Sequence, residues 1–240
     1  MRRARREGFR RSVLLTACVG VLAAVAVAGC GASPGATPTA TATPPGSAAP
    51  SDSAAPGPDA TPLPPGAFTF DLPAGWVAVP VSGSHDALLA RLLEQNPVFA
   101  DSLAARLGGL SDTTTYVAFD ASADAVRQGD IVMLVVTEVA LPGDMALEAF
   151  ASTIKGQVEK LVESTVDLRQ VLVTAGQAFS LAYLAPVTRP DGKPGSAAIT
   201  QVLYVLPGRA YVMTFAAPPE RANDYARAIA GIATSFTIRL

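Results

Sequence analysis

The chain is poor in the side chains that most often carry chemistry. Its 240 residues include one histidine, His85, one tryptophan, Trp76, and two cysteines, Cys18 and Cys30. A metal centre built on nitrogen and sulfur needs several imidazoles or thiolates, so no metal site is expected. No cofactor is expected either, because the phosphate-cradling patterns GxxxxGKS/T and GxGxxG are both absent. Lysine is scarce, at Lys155, Lys160 and Lys193, and six of the eighteen Lys+Arg are arginines before residue 12. Downstream of Cys30 twelve cations face nineteen acids, a net charge of −7. An acidic surface argues against a nucleic-acid partner, whose phosphates require a basic footprint. It also argues against electrostatic docking on anionic lipid.

What is present at the N-terminus is an address. Residues 2–11 are arginine-rich, residues 13–28 are almost wholly apolar, and the run ends at Val27-Ala28-Gly29-Cys30. A basic start, a short apolar stretch and small residues before the cut make a secretory signal peptide over 1–29. The apolar stretch is short for a membrane span. A cysteine directly after the small pair resembles the bacterial lipobox, which implies diacylglycerylation of the Cys30 thiol and cleavage before it. Cys18 leaves with the signal, so the mature chain has one cysteine and no internal disulfide. Palmitate-type acyl chains on Cys30 make a stable two-tailed anchor. The expected location is the outer face of the cell membrane, or the periplasmic face where there are two membranes.

Residues 30–66 read as the lipidated cysteine and a tether. Beyond Cys30 the segment is almost entirely Gly, Ala, Ser, Thr and Pro. Such a composition buries too little apolar area to offset its ordering entropy. Extended, it reaches on the order of 100 Å. The globular domain therefore occupies 67–240, long enough for one substantial core.

Within it, 67–72 and 76–79 read as two short strands around the Pro73-Ala74-Gly75 turn. Ser84 opens a helix with Leu88, Leu89, Leu92 and Leu93 at helical spacing, stopped by Asn96-Pro97; a second carries Phe99, Leu103 and Leu107. Together they form a helical pair at about 84–110. A strand at 116–120 and an apolar β-branched run at 131–141 follow. The longest helix is expected after Asp144, with Leu147, Phe150, Ile154, Val158 and Leu161 in one stripe. Strands at 166–174, 178–186, 198–206 and 211–215, a helix from Pro219 with Tyr225, Ile229 and Ile232 inward, and a final short strand complete the chain. Without regular βαβ alternation, the expected class is α+β, an antiparallel sheet with helices packed on it.

The opening Phe68-Thr-Phe-Asp-Leu-Pro-Ala-Gly-Trp76 and the ending Tyr211-Val-Met-Thr-Phe215, Tyr225 and Ile232-Ala-Thr-Ser-Phe236 resemble domains of the PsbP-like and Ran-binding Mog-like superfamily, including actinobacterial lipoproteins of the LpqN type. The resemblance spans 68–240 and rests on the motifs at its two ends. It implies an α/β/α sandwich around an antiparallel sheet and an accessory or binding role. The helical pair is larger than the usual connection at that place.

No active site stands out. Ser84, His85 and Asp86 supply the residue types of a hydrolase triad, but adjacent residues in a helical turn point apart, where a triad needs convergence. Asp120, Asp124 and Asp130 lack EF-hand spacing and read as a solvated loop. Trp76 reads as core. The helical pair has more apolar surface than a connector needs, so Leu88, Leu92, Leu93, Phe99 and Leu103, with Trp76, are the expected ligand or partner surface. The functional expectation is a non-catalytic binder of an envelope protein or apolar ligand, held to the membrane through its lipid. The alternatives are an extracytoplasmic hydrolase using carboxylates and a PsbP-like accessory subunit of a photosynthetic complex.

Overall fold

The computed structural model describes residues 68–141, 145–188 and 193–238. The expected signal segment, Cys30, the expected tether, Asp144 and the expected turn at 189–192 lie outside the described residues. In chain order the elements are β1 (Phe68–Thr69), β2 (Trp76–Val79), α1 (Asp86–Gln95), α2 (Pro97–Gly108), β3 (Thr114–Asp120), α3 (Ala123–Gln128) and β4 (Met133–Ala140). After them come α4 (Leu147–Val158), β5 (Asp167–Val173), β6 (Gly176–Thr188), β7 (Pro194–Leu206), β8 (Arg209–Ala217), a 3₁₀ turn (Pro219–Arg221), α5 (Ala222–Ser235) and β9 (Thr237–Ile238).

Seven strands form one antiparallel sheet in the order β2-β3-β4-β8-β7-β6-β5, and β1 pairs with β9 in a separate two-stranded ribbon. Side chains alternate between faces along each strand, and both faces are apolar. The front face carries two hydrophobic clusters. In one, Leu92, Phe99, Leu103 and Leu107 of α1 and α2 pack on Val117, Phe119, Met133 and Val135. In the other, Phe150, Ile154 and Val158 of α4 pack on Leu181, Tyr183, Ile199, Leu203 and Val212. The back face is covered by α5 and the β1–β9 ribbon, with Tyr225, Ile232, Phe236 and Phe68 against Tyr116, Leu134, Tyr211, Met213 and Phe215. Helices on both faces make this the α/β/α form of the α+β class expected from the sequence.

Local chemistry explains the boundaries. Asn96 ends α1 with extended backbone and caps α2, its Oδ1 accepting from the Phe99 amide at 3.1 Å, while Pro97 occupies the first helical position. Asn96 Nδ2 also donates to the Val126 carbonyl at 2.7 Å, which ties the corner of the helical pair to α3. At Gly75 the backbone is left-handed (φ +87), which favours glycine, and a Cβ there would crowd Ser122 Cβ at 3.2 Å.

The structure departs from the sequence reading in four places. The two N-terminal strands do not pair around the Pro73–Gly75 turn: β1 joins β9 and β2 joins β3, because the ring of Phe68 is drawn into the back-face cluster. The α3 helix was not expected, since six residues show no usable period; Ser122 caps it and Gly129 (φ +77) ends it. Leu161 is outside the α4 stripe and 54 % exposed, because the helix stops at Val158. Among the described residues the longest helix is α5, of 14 residues, rather than α4, of 12.

Candidate functional site

The two front-face clusters do not merge. Between them runs a polar strip formed by Thr137 of β4, Thr214 of β8 and Gln201 of β7, all buried. Thr214 is paired in register with Gln201 on one side and with Val135 on the other. Thr137, two residues beyond Val135, is diagonal to Thr214, a separation of about 7–8 Å between such neighbours. The three side chains therefore share one face and cross three strands obliquely. Gln201 Nε2 donates to Thr214 Oγ1 at 3.3 Å.

That bond leaves much of the strip unsatisfied. Thr137 Oγ1, Gln201 Oε1 and Gln157 Oε1 are buried and have no hydrogen-bond partner among the described residues. Leaving such an atom desolvated and unpaired costs about 1–3 kcal/mol.

Gln157 belongs to α4, and helical geometry places it on the same seam. The α2 helix runs antiparallel to β3, from the Asn96 corner beside α3 back toward Thr114. With Leu103 against the sheet and 3.6 residues per right-handed turn, Ala100 and Ala104 lie on the flank toward α1, and Ser102 and Arg106 on the flank toward α4. The same reasoning on α4, with Ile154 inward, puts Thr153 and Gln157 on the flank turned to α2. All four flanking residues are half-buried.

Arg106 is the cation on that flank of α2. Among the described residues its guanidinium has no ion-pair or hydrogen-bond partner. Desolvation by burial lowers its pKa, although a guanidinium stays charged at neutral pH. The strip of hydroxyl and amide groups thus lies between two apolar clusters, with an unpaired cation on the facing flank of α2 and an amide on that of α4.

The chain is matched by no protein-family model, and no curated protein matches it. Solved structures do. The LpqN protein involved in cell envelope biogenesis of Mycobacterium tuberculosis is similar at 15 % identity and a TM-score of 0.46, over 74 % of this chain and 87 % of that one. Cyanobacterial PsbP from Synechocystis is similar at 13 % identity and a TM-score of 0.41, over 71 % of this chain and 86 % of that one. The Ran-binding protein Mog1p of Saccharomyces cerevisiae is similar at 13 % identity and a TM-score of 0.42, over 71 % and 89 %. The likeness is to the kinds of protein that the terminal motifs resemble; it concerns the fold and carries nothing about function.

The residues expected to form a binding surface are dispersed. Leu92, Phe99 and Leu103 are core, each at most 1 % exposed, and Leu88 is partly buried beside them. Trp76 is buried on the back face, its ring edge-on to Tyr225 at 6.5 Å, so it shares no surface with the helical pair. Of the set, Leu93 is exposed, at 49 %, and the structure adds Val98, at 61 %, across the Asn96 corner.

The Ser84-His85-Asp86 triplet does not converge. His85 Nε2 is 2.7 Å from the Pro80 carbonyl oxygen, and Ser84 Oγ accepts from the Asp86 amide at 3.1 Å. The aspartates do not form a common site either. Asp120 accepts from the Tyr225 hydroxyl at 2.6 Å and the Ser122 amide at 2.9 Å, Asp130 pairs with Arg221 at 2.6 Å, and exposed Asp124 pairs with Arg127. The "solvated loop" reading holds for Asp124 and fails for Asp120, which is buried because β3 carries it under α5.

Thr137, Gln157, Gln201, Thr214 and Arg106 were all missed in the sequence. Three carry a legible signal: Thr137, Gln201 and Thr214 are each a polar residue inside an apolar strand run (MLVVTEVA, AAITQVLYVL, YVMTFAA). In strands covered on both faces, each had to be buried.

Proposed function

We propose that this chain is a lipid-anchored extracytoplasmic binding protein, attached through acyl chains on Cys30, that takes a small ligand into the seam between α2 and α4 and performs no chemistry on it. The observation that carries the reading is the pair of buried, unpartnered polar atoms, Thr137 Oγ1 and Gln201 Oε1, on one strip between two apolar clusters, with Gln157 Oε1 a third such atom on α4. A ligand that hydrogen-bonds them recovers their desolvation cost, and the apolar walls strengthen each bond by lowering the local dielectric. The anchor rests on the Val27-Ala28-Gly29-Cys30 sequence and the two-tail requirement.

The test is native mass spectrometry of the membrane-extracted protein beside its Cys30→Ser and Thr137→Val variants. The expected result is a diacylated chain carrying an extra small-molecule mass, with acylation lost in Cys30→Ser and the small molecule lost in Thr137→Val. A chain with no bound molecule in either form counts against the seam.

A second reading is favoured by Leu93 and Val98, which leave an apolar corner exposed beside Pro97. Here an envelope protein docks on the outside of the helical pair. Leu93→Ser with Val98→Ser is expected to abolish capture of that partner while the domain stays folded; undiminished capture removes this reading.

A further inference from the structure

The two edges of the seven-stranded sheet are not alike. At one, β2 is four residues long; at the other, β5 runs for seven, Asp167–Val173, in unbroken register with β6. It contains no proline, lysine or bulge, the devices that normally keep an open edge from pairing. We infer that β5 is a docking edge whose occupant is β5 of a second copy of this chain, antiparallel about a two-fold axis at Gln170.

The hairpin fixes which backbone groups are open. The two-residue connection Thr174-Ala175 closes β5 on β6 at the pair Val173–Gly176, so Val173, Val171, Arg169 and Asp167 turn their N–H and C=O toward β6. Two sets of bonds agree with that alternation. Leu184, an even number of residues beyond Gly176, is met from the β5 side by Ser164 Oγ, which donates to its carbonyl at 2.9 Å and accepts from its amide at 3.0 Å. The outward amide of Thr174 donates to the Thr234 carbonyl at 2.9 Å. Leu168, Gln170 and Leu172 therefore face outward, and among the described residues these backbone groups have no partner. Their side chains lie on the front face, in register with Leu181, Phe179 and Gln177. Leu172 is 77 % exposed, the most of any large hydrophobic residue described.

Self-complementarity selects the occupant. A two-fold axis normal to the sheet keeps front residues on the front, so it passes through one residue of β5. The outward set of Leu168, Gln170 and Leu172 is symmetric about Gln170, so only there does each outward residue meet another. Gln170 then faces its own copy, and Leu168 faces the exposed Leu172 of the second copy. An axis at Arg169 would instead set a guanidinium against itself, and like charges directly opposite are destabilising. The strands exchange about six main-chain hydrogen bonds. The segment before the domain is a poor competitor for this edge: between Pro34 and Pro65 no proline-free run exceeds five residues, and proline donates no ladder bond.

The same axis keeps both back faces on one side, and with them both copies of β1, where the chain enters the domain at Phe68. Two chains leaving on one side can reach one membrane, where confinement raises the effective concentration for a small interface. This last point rests on the Cys30 anchor proposed above; the edge pairing does not.

The experiment uses the soluble Cys30→Ser chain and the membrane-bound chain, each with Gln170→Cys or Leu172→Cys, and the parent chains as blanks. Across the axis the two Gln170 Cα atoms are about 5.5 Å apart, within disulfide range. The two Leu172 positions are four residues out of register, about 14 Å. Oxidation is expected to cross-link Gln170→Cys at least tenfold faster than Leu172→Cys. Gln170→Pro removes an outward amide and no bond to β6, and it is expected to turn a concentration-dependent monomer–dimer mixture of Cys30→Ser into monomer in sedimentation. Leu172→Lys serves the same purpose if melting shows the proline variant unfolded. Equal cross-linking at the two positions overturns the register, and dimers that survive both edge variants overturn the edge. Monomer at every concentration with no Gln170→Cys cross-link in the membrane overturns the pairing, and a cross-link to a different protein overturns the second copy as occupant. A cross-linked dimer with unacylated Cys30 removes the anchor alone, and an acylated chain without the cross-link removes the dimer alone.

Discussion

The Tyr225 hydroxyl donates to Asp120 Oδ2 at 2.6 Å, joining the first turn of α5 to the end of β3 across 105 residues of chain. Asp120 is buried at this contact and also accepts the Ser122 amide, while Arg221, one 3₁₀ turn earlier, lies over the Tyr225 ring at 5.6 Å and pairs with Asp130. The back-face helix is therefore clamped to the β3–α3–β4 connection by two neighbouring polar links. Removing the phenol oxygen leaves a buried carboxylate short of one donor. Tyr225→Phe is expected to cost about 1.5–3 kcal/mol in urea unfolding, since the lost bond is to a charged group. A loss under half of that would mean that Asp120 is adequately held by Ser122 alone.

The inner side of the helical pair is core, so its truncation should behave as core truncation. Phe99→Ala and Leu103→Ala are each expected to destabilise by about 3–5 kcal/mol. Leu93→Ser on the exposed side should stay within about 0.5 kcal/mol of wild type. Denaturant midpoints of the three variants check this. Polar replacements at Leu92 and Phe99 accordingly report folding rather than partner capture, and the outer residues Leu93 and Val98 are the ones to change.

An unpaired buried hydroxyl is a liability in the ligand-free protein. Thr137→Val, which keeps the shape and removes the polar atom, is expected to leave the stripped protein as stable as wild type or more stable by up to about 1 kcal/mol. The sign reverses when ligand is bound, because the variant then forfeits a bond. Melting curves of the stripped and loaded proteins measure both signs, and a large loss in the stripped form would mean that Thr137 is already paired.

Burial holds four phenols protonated. Desolvation pushes the pKa of Tyr116 up to about 12, and it raises those of Tyr183, Tyr211 and Tyr225 as well, the last helped by its bond to Asp120. In the unfolded chain a phenol ionises near pH 10. Above that value the unfolded state releases protons that the native state retains, so stability falls with rising pH; below it, the contribution is fully present. The urea midpoint should be insensitive to these groups up to about pH 9 and decline beyond about pH 10. A midpoint flat to pH 12 would contradict the burial of these hydroxyls.

Much of the fold was legible in residue order. The β-branched run at 131–141 became the interior strand β4, the Asn96-Pro97 pair divided α1 from α2 by capping chemistry, and the stripe from Leu147 to Val158 became the inner face of α4. These are local effects, set by period and by single residues, and a sequence displays them directly. The partners of β1 and the shared use of one sheet face by α2 and α4 were not legible, because they depend on contacts between segments far apart in the chain.

The division is sharpest at the candidate site. By itself the sequence determined a basic and then apolar N-terminal stretch ending at Cys30, an acidic composition beyond it with few histidines and cysteines, and an α+β domain rich in apolar strands. Whether an apolar helix was core or surface, and whether a threonine inside a strand was idle or unpaired, was decided only by the tertiary structure. The reason is that burial and hydrogen-bond satisfaction belong to pairs of surfaces: Thr137 and Gln201 are ordinary polar residues until the sheet register and the helices packed over it leave them on one buried strip without enough partners.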